Sequence, residues 1–413
     1  MGNIFLGGGR VIDPAHNFDQ IADVQIVGSK IVNVGKISKR CAVGEIIDCH
    51  GKIVCPGLID THVHARTPGQ EHKETLGSVS FAAIMGGFTT IVCMANTSPP
   101  VDNVETLRQV QAMAEAIGLI NIKQVTAITK GLAGKEFVDL LAMQNAGAIA
   151  ASDDGKGLQN PRVLLGAIGD FLRNELPILL HCQDSRFDTY DPRAEIHQAS
   201  MSLKIAEEFE LPIHLQHVST AQTVQLVREA KARGAQVSCE TAPHYFSLTE
   251  RDFRENGANF KMNPPLRKEK DRQEVIRGLA DGTIDVIATD HAPHTPEEKA
   301  QGVEKAPFGV IGLETAVPVV LTTLSNRIPL MEIIRKMTIN PARILRLEGK
   351  GTLHLGSVAD ITVIDPQMRQ KVEADKFQSL SRNCPWDGKR LQGWPWMTIV
   401  GGRILMKDGK LNI

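Results

Sequence analysis

Between residues 57 and 290 the chain alternates short apolar runs with stretches of helical periodicity. Eight runs read as strands: Gly57–His64, Thr89–Met94, Ile122–Ile128, Ala148–Asp153, Ile178–His181, Ile213–His217, Val237–Thr241 and Val286–Asp290. They lack strict apolar–polar alternation, which suits strands buried on both faces. Leu107, Val110, Ala114 and Ile117 form an apolar stripe between two of them, and Val224, Leu226, Val227 and Ala230 form another. Strand–helix alternation repeated in this way predicts an α/β fold, a closed parallel (β/α)8 TIM barrel over residues 56–350. Helices over Glu314–Leu324, bent at Pro318, and over Met331–Met337 are expected to close it.

The two ends follow another pattern. Residues 1–55 carry Gly7-Gly8-Gly9, then Ala22–Val27 and Lys30–Val34, which read as turns and short strands. Residues 351–413 carry the β-like runs Asp360–Ile364 and Met397–Val400. Neither end is large enough for a core of its own. Residues 1–55 with 351–413 are therefore expected to pair into one small β-module beside the barrel.

A chain of 413 residues has room for both parts, since such a barrel takes about 250 residues. The 46 basic and 47 acidic residues nearly cancel, with no basic stripe, so neither nucleic acid nor an anionic membrane is an expected partner. No apolar run is long enough to span a bilayer, and the start, Met1-Gly2-Asn3-Ile4-Phe5-Leu6, lacks the features of a signal peptide. Seven scattered cysteines, an odd number, do not make a disulfide framework. They read as reduced thiols of a cytoplasmic enzyme. Cys182, next to His181, is expected to point away from it and pack.

The candidate chemistry sits where the apolar runs end. His62 and His64 are two apart, so a strand presents both imidazoles on one face. Asp153, His181, His217 and Asp290 each end a later run. Barrel enzymes gather their active sites at the carboxyl ends of the strands. Imidazole and carboxylate are the usual ligands of catalytic zinc, although the same donors suit manganese, iron or cobalt. With Asp153 spanning two ions, His62, His64, Asp153 and Asp290 would hold one, and Asp153, His181 and His217 the other. A hydroxide between ions about 3.5–4 Å apart is a strong nucleophile at neutral pH. Asp290 would double as the general acid/base that moves a proton to a leaving nitrogen. Arg66 offers a planar fork for a substrate carboxylate. Asn96 would hydrogen-bond the same substrate, and His294 would close over the site. His197, His214, His244 and His354 receive no metal role. His214 is expected to face away if His217 faces in.

These residues resemble the amidohydrolase superfamily and, within it, the class I dihydroorotases. The resemblance runs through Pro56-Gly57-Leu58-Ile59-Asp60-Thr61-His62-Val63-His64-Ala65-Arg66, Met94-Ala95-Asn96-Thr97 and Gln216-His217-Val218-Ser219-Thr220. It continues in Asn263-Pro264-Pro265-Leu266-Arg267 and Thr289-Asp290-His291-Ala292-Pro293-His294. Arg66, Asn96 and His294 match the family's substrate-binding positions, and Asn263 lies in a segment that contacts the pyrimidine ring. The resemblance implies zinc, one or two ions, and the reversible cyclisation of N-carbamoyl-L-aspartate to L-dihydroorotate in pyrimidine biosynthesis. A homodimer and a complex with aspartate transcarbamoylase are the associated partner expectations. Two departures stand out. Ala65 replaces the usual leucine. The fourth run has no lysine, where hydantoinases and many dihydroorotases carry a carboxylated one; Asp153 is expected in its place, and Lys156 lies beyond a glycine turn. The alternatives are a hydantoinase or allantoinase, for which Arg66 would have nothing to bind, and a non-catalytic scaffold of aspartate transcarbamoylase, against which the intact ligand positions speak.

Overall fold

The computed structural model describes every residue except 1, 39–41, 160–164, 167, 168, 170 and 172–175. Its central layer is a closed ring of parallel strands. Leu58–Val63, Phe88–Cys93 and Asn121–Gln124 form one continuous stretch, and Ile178–Leu180, Ile213–Leu215, Val237–Thr241 and Val286–Ile287 form another. Parallel bridges complete the circle. Ala151 links Thr126 to Ile178, and Val63 meets His291. All eight predicted runs therefore supply barrel staves, the fourth of them through Ala151 alone. The strands are buried on both faces, as expected where helices cover the outside and side chains fill the inside.

The amphipathic stripes become helices. Val104–Ile117 begins at Asn103, whose side chain accepts from the Thr106 amide, and ends at Gly118 in the left-handed conformation. Ala221–Ala232 is capped by Thr220 and buries Val224, Val227 and Ala230. The expected bend at Pro318 is not found. The helix runs Ala316–Leu324, so Pro318 lies in its first turn, where the missing N–H has no intrahelical acceptor to lose. Leu330–Met337 follows.

Strands from both chain ends share one nine-stranded sheet. Ile53–Pro56 is its seam, pairing parallel with Ile4–Asp13 and antiparallel with Ile361–Lys371. Period-two alternation divides the seam between two cores. Val54 packs with Val24, Ile26, Val363 and Met397 inside the module, while Ile53 and Cys55 join the barrel core. The Gly7–Gly9 run is not a turn. It lies inside Ile4–Asp13 as a bulge, where Gly8 has a φ of 72° and donates its amide to Asp23. The six described cysteines are free and buried, Cys182 among them. Among the described residues no helix is long and apolar enough to cross a membrane.

Candidate active site

The first strand ends in His62 and His64, with 0% and 6% of their surfaces exposed. Asp60, on the same face, staples this strand to the eighth. Its carboxylate accepts from the His62 amide at 3.1 Å and the Thr289 amide at 3.0 Å, which brings Asp290 against both imidazoles. Asp290 Oδ1 lies 3.2 Å from His64 Nε2 and 3.6 Å from His62 Nε2. The fifth and sixth strands end in His181 and His217, whose Nδ1 and Nε2 atoms approach to 2.7 Å.

At the fourth strand the expectation is corrected. The carboxylate between the two halves is that of Asp154, not Asp153. Asp154 Oδ1 stands 3.4 Å from His62 Nε2, 3.3 Å from His181 Nδ1 and 3.5 Å from His217 Nε2, and Oδ2 stands 3.5 Å from His64 Nε2. Asp153 turns to the third strand instead, accepting from the Ile128 amide at 2.8 Å, the Thr129 amide at 3.0 Å and the Thr129 hydroxyl. Alternation explains the choice. Ser152 points into the barrel, 2.9 Å from Gln216, so Asp154 shares its side and Asp153 does not. Gly155, with a φ of 85°, then turns the chain. A Cβ there would meet the Asn96 amide nitrogen at 3.1 Å.

Two groups of donors result, His62 with His64 and Asp154, and Asp154 with His181 and His217. Within each group the ligand atoms lie within 4.8 Å of one another. His62 Nε2 and Asp154 Oδ1 are buried without hydrogen-bond partners, the condition of atoms prepared for an ion. The electrostatics agree. Burial would lower the basicity of His62, yet the charges of Asp154 and Asp290 hold its pKa well above the ordinary value. Burial would likewise raise the Asp154 carboxyl, but the charge of His62 and the close approach of His181, His217 and His62 hold it well below the carboxylate range. The pocket favours positive charge, and its donor set fits divalent cations.

Three residues of the site have left-handed backbone: Arg66 with a φ of 61°, His217 with 37° and Asp290 with 49°. Such strain gathers where a fold over-determines a functional geometry. It also ends the strand alternation. His214, expected to face away, instead points into the barrel, with Nδ1 2.9 Å from Ser238 Oγ and Nε2 3.2 Å from Glu240. The turn at His217 breaks the parity that would have separated them.

The remaining candidates surround the donors. Arg66 is buried, its Nε donating to the Pro293 carbonyl at 3.1 Å and its Nη2 lying 3.2 Å from His294 Nε2. Burial and then the charge of Arg66 push His294 down to about 3, so its imidazole is neutral at neutral pH. Asn96 Oδ1 accepts from His64 Nδ1 at 2.9 Å. Asn263 donates to Gln183 Oε1 at 2.7 Å, and that oxygen also accepts from His181 Nε2 at 2.9 Å. Lys156 is exposed, and Ala65 packs in the core. Asp60, Asp154, Gln183 and Glu240 are not among the sequence-predicted residues. Parity points to Asp154 through Ser152 and to Asp60 through His62; no local pattern marks Gln183 and Glu240.

Comparison with known proteins agrees with this geometry. A model of the amidohydrolase family matches residues 53–405. A dihydroorotase of Pelotomaculum thermopropionicum is 42% identical over 424 residues, covering 98% of this chain and 99% of its own. A dihydroorotase of Geotalea daltonii is 41% identical at the same coverage. Among solved structures, the L-hydantoinase of Arthrobacter aurescens superposes with a TM-score of 0.92 at 25% identity, covering 100% of this chain and 98% of its own. The chain belongs to the amidohydrolase family and, within it, to the dihydroorotases.

Proposed function

We propose that this chain catalyses the reversible cyclisation of N-carbamoyl-L-aspartate to L-dihydroorotate, with His62, His64, Asp154, His181, His217 and Asp290 as ligands of one or two divalent ions. The observation that carries the ligand set is the sharing of Asp154 between two donor groups. A bound ion would supply an acidified water and charge to stabilise the oxyanion formed on the ring amide. Asp290 is the proton carrier. It faces His62 and His64, and although burial would raise its carboxyl, the charges of His62, His64 and His217 with the hydrogen bond from His64 together outweigh this and hold it below the ordinary carboxylate value, ionised at neutral pH. In hydrolysis it takes a proton from the attacking water and delivers it to the leaving ring nitrogen. Arg66 grips the substrate carboxylate, with Asn96, Asn263 and the neutral His294 around it. This arrangement orients the ring for attack.

Zinc as the ion, a homodimer as the working form, association with aspartate transcarbamoylase and a cytoplasmic location belong to the same proposal. So does the division into a barrel of residues 56–350 and a module of 1–55 with 351–413. A hydantoin-cleaving activity is the second reading, favoured by the superposition on the L-hydantoinase. The buried Arg66 argues against it, because a neutral hydantoin offers no carboxylate.

The test combines metal analysis with hydrolysis of L-dihydroorotate on the same protein, as purified, after chelation and after zinc restoration. Activity should fall and return with the metal. Bound metal with turnover of hydantoin but not of dihydroorotate would overturn the substrate assignment.

A further inference from the structure

We propose that Glu240 is a positioning residue for the metal centre, acting through His62, and that His214 holds it in place. This rests on the reading of the Asp154 cluster as a divalent-ion site.

Glu240, on the seventh strand, places its carboxylate inside the barrel with 1% of the residue exposed. Its Oε1 lies 2.8 Å from His62 Nδ1. Its other oxygen accepts from the Thr61 hydroxyl and lies 3.2 Å from His214 Nε2. His214 Nδ1 lies 2.9 Å from Ser238 Oγ. An ionised carboxylate can only accept, so the proton of a neutral His62 sits on Nδ1. That leaves the Nε2 lone pair free, and Nε2 is the buried atom without a partner beside Asp154. Gln216 Nε2 lies 3.2 Å from the same Nδ1, but with the proton there it turns its hydrogen to Met94 Sδ at 3.4 Å.

Two other imidazoles of the site are held differently. His64 Nδ1 meets the Asn96 amide oxygen and His181 Nε2 meets that of Gln183, each at 2.9 Å. These are neutral acceptors. Glu240 gives His62 a charged acceptor, which binds a donor more strongly and makes the imidazole a better electron donor. Burying a carboxylate is costly unless it is paired. Strands one and six therefore supply Thr61 and His214 to hold it, and the three elements lock the plane of the His62 ring.

The experiment compares wild type with Glu240→Gln, which keeps the shape but removes the charge. Zinc affinity is measured by competition with a chromophoric chelator, and kcat and KM for dihydroorotate at saturating zinc. The expected result is zinc binding weaker by about 10–100-fold, with kcat lowered and KM near the wild-type value. Unchanged zinc affinity in a folded E240Q would overturn the proposal. If E240Q does not fold, His214→Gln takes its place: weaker zinc binding supports the relay, and wild-type affinity overturns it. A wild-type protein that binds no zinc would instead remove the ion-site reading on which the proposal stands.

Discussion

Asp153 and Asp154 are adjacent in the chain, yet their carboxylates serve different neighbours. Asp154 lies within 3.5 Å of four imidazoles, while Asp153 ties the fourth stave to the backbone amides of Ile128 and Thr129. The two substitutions to asparagine should therefore separate. Asp154→Asn should abolish activity and reduce bound metal, with the fold kept. Asp153→Asn should retain metal but lose stability by about 1.5–3 kcal/mol, the scale of hydrogen bonds to a charged group. Elemental analysis and urea unfolding of both variants check this. Retained activity in D154N together with metal loss in D153N would reverse the assignment.

Arg66 should discriminate between substrates. Its guanidinium is held by the Pro293 carbonyl beside His294, with its charge buried. Arg66→Lys keeps a charge but loses the fork. We expect kcat/KM for dihydroorotate to fall by about 10–100-fold, the scale of a charge-assisted hydrogen bond. Steady-state kinetics would show it, and equal turnover by the two proteins would remove Arg66 from the substrate site.

Two groups outside the metal ligands should shape stability against pH in opposite senses. Burial pushes the Glu314 carboxyl from 4.5 up to about 8. Between those values the folded state holds a proton that the unfolded state has lost, so this contribution is full below about 4.5 and is lost as pH rises towards 8. Burial pushes His244 from 6.5 down to about 4. Here the unfolded state binds the proton, so the contribution is present above 6.5 and is lost as pH falls towards 4. Glu314→Gln should flatten the loss of stability from pH 5 to pH 8, read from urea midpoints. A slope identical to wild type would contradict it.

Lys299 ties down the segment that carries His294. Its buried ammonium donates to the carbonyls of Gly309 at 2.8 Å, Pro307 at 2.9 Å and Lys261 at 3.3 Å. Lys299→Met would leave the Pro307 carbonyl without its donor, while Gly309 keeps Asn383 Nδ2 and Lys261 keeps the Gly309 amide, at about 1–3 kcal/mol for the buried group left unsatisfied. Limited proteolysis should cut residues 295–309 faster than in wild type, and KM should rise. An unchanged cleavage pattern would show that the loop is held by other contacts.

Much of this molecule was legible in the order of its residues. The eight barrel runs and the His-X-His pair could be read because they depend on short-range periodicity, which backbone geometry converts directly into faces. His181, His217 and Asp290 stand out because each closes an apolar run, and the structure brings them together. Asp153 ends the fourth run, and the expectation falls on it for that reason; the register of Ser152 against Gln216 puts Asp154 on the inward side instead. The bend at Pro318 failed for a similar reason, since the start of the helix sets whether a proline breaks a bond.

The barrel, the module assembled from two distant ends and the kinds of donor available for a metal all follow from residue order. Which atoms meet depends on how the chain closes in space. Glu240 lies 178 residues from His62, and Asp60 reaches 229 residues to Thr289. Such pairings arise from closing the ring of strands, not from any local repeat. The left-handed turns at Arg66, His217 and Asp290 likewise end the alternation at the point where the chemistry begins. Period two predicts faces only while the strand lasts, and an active site at the strand ends lies where that rule stops.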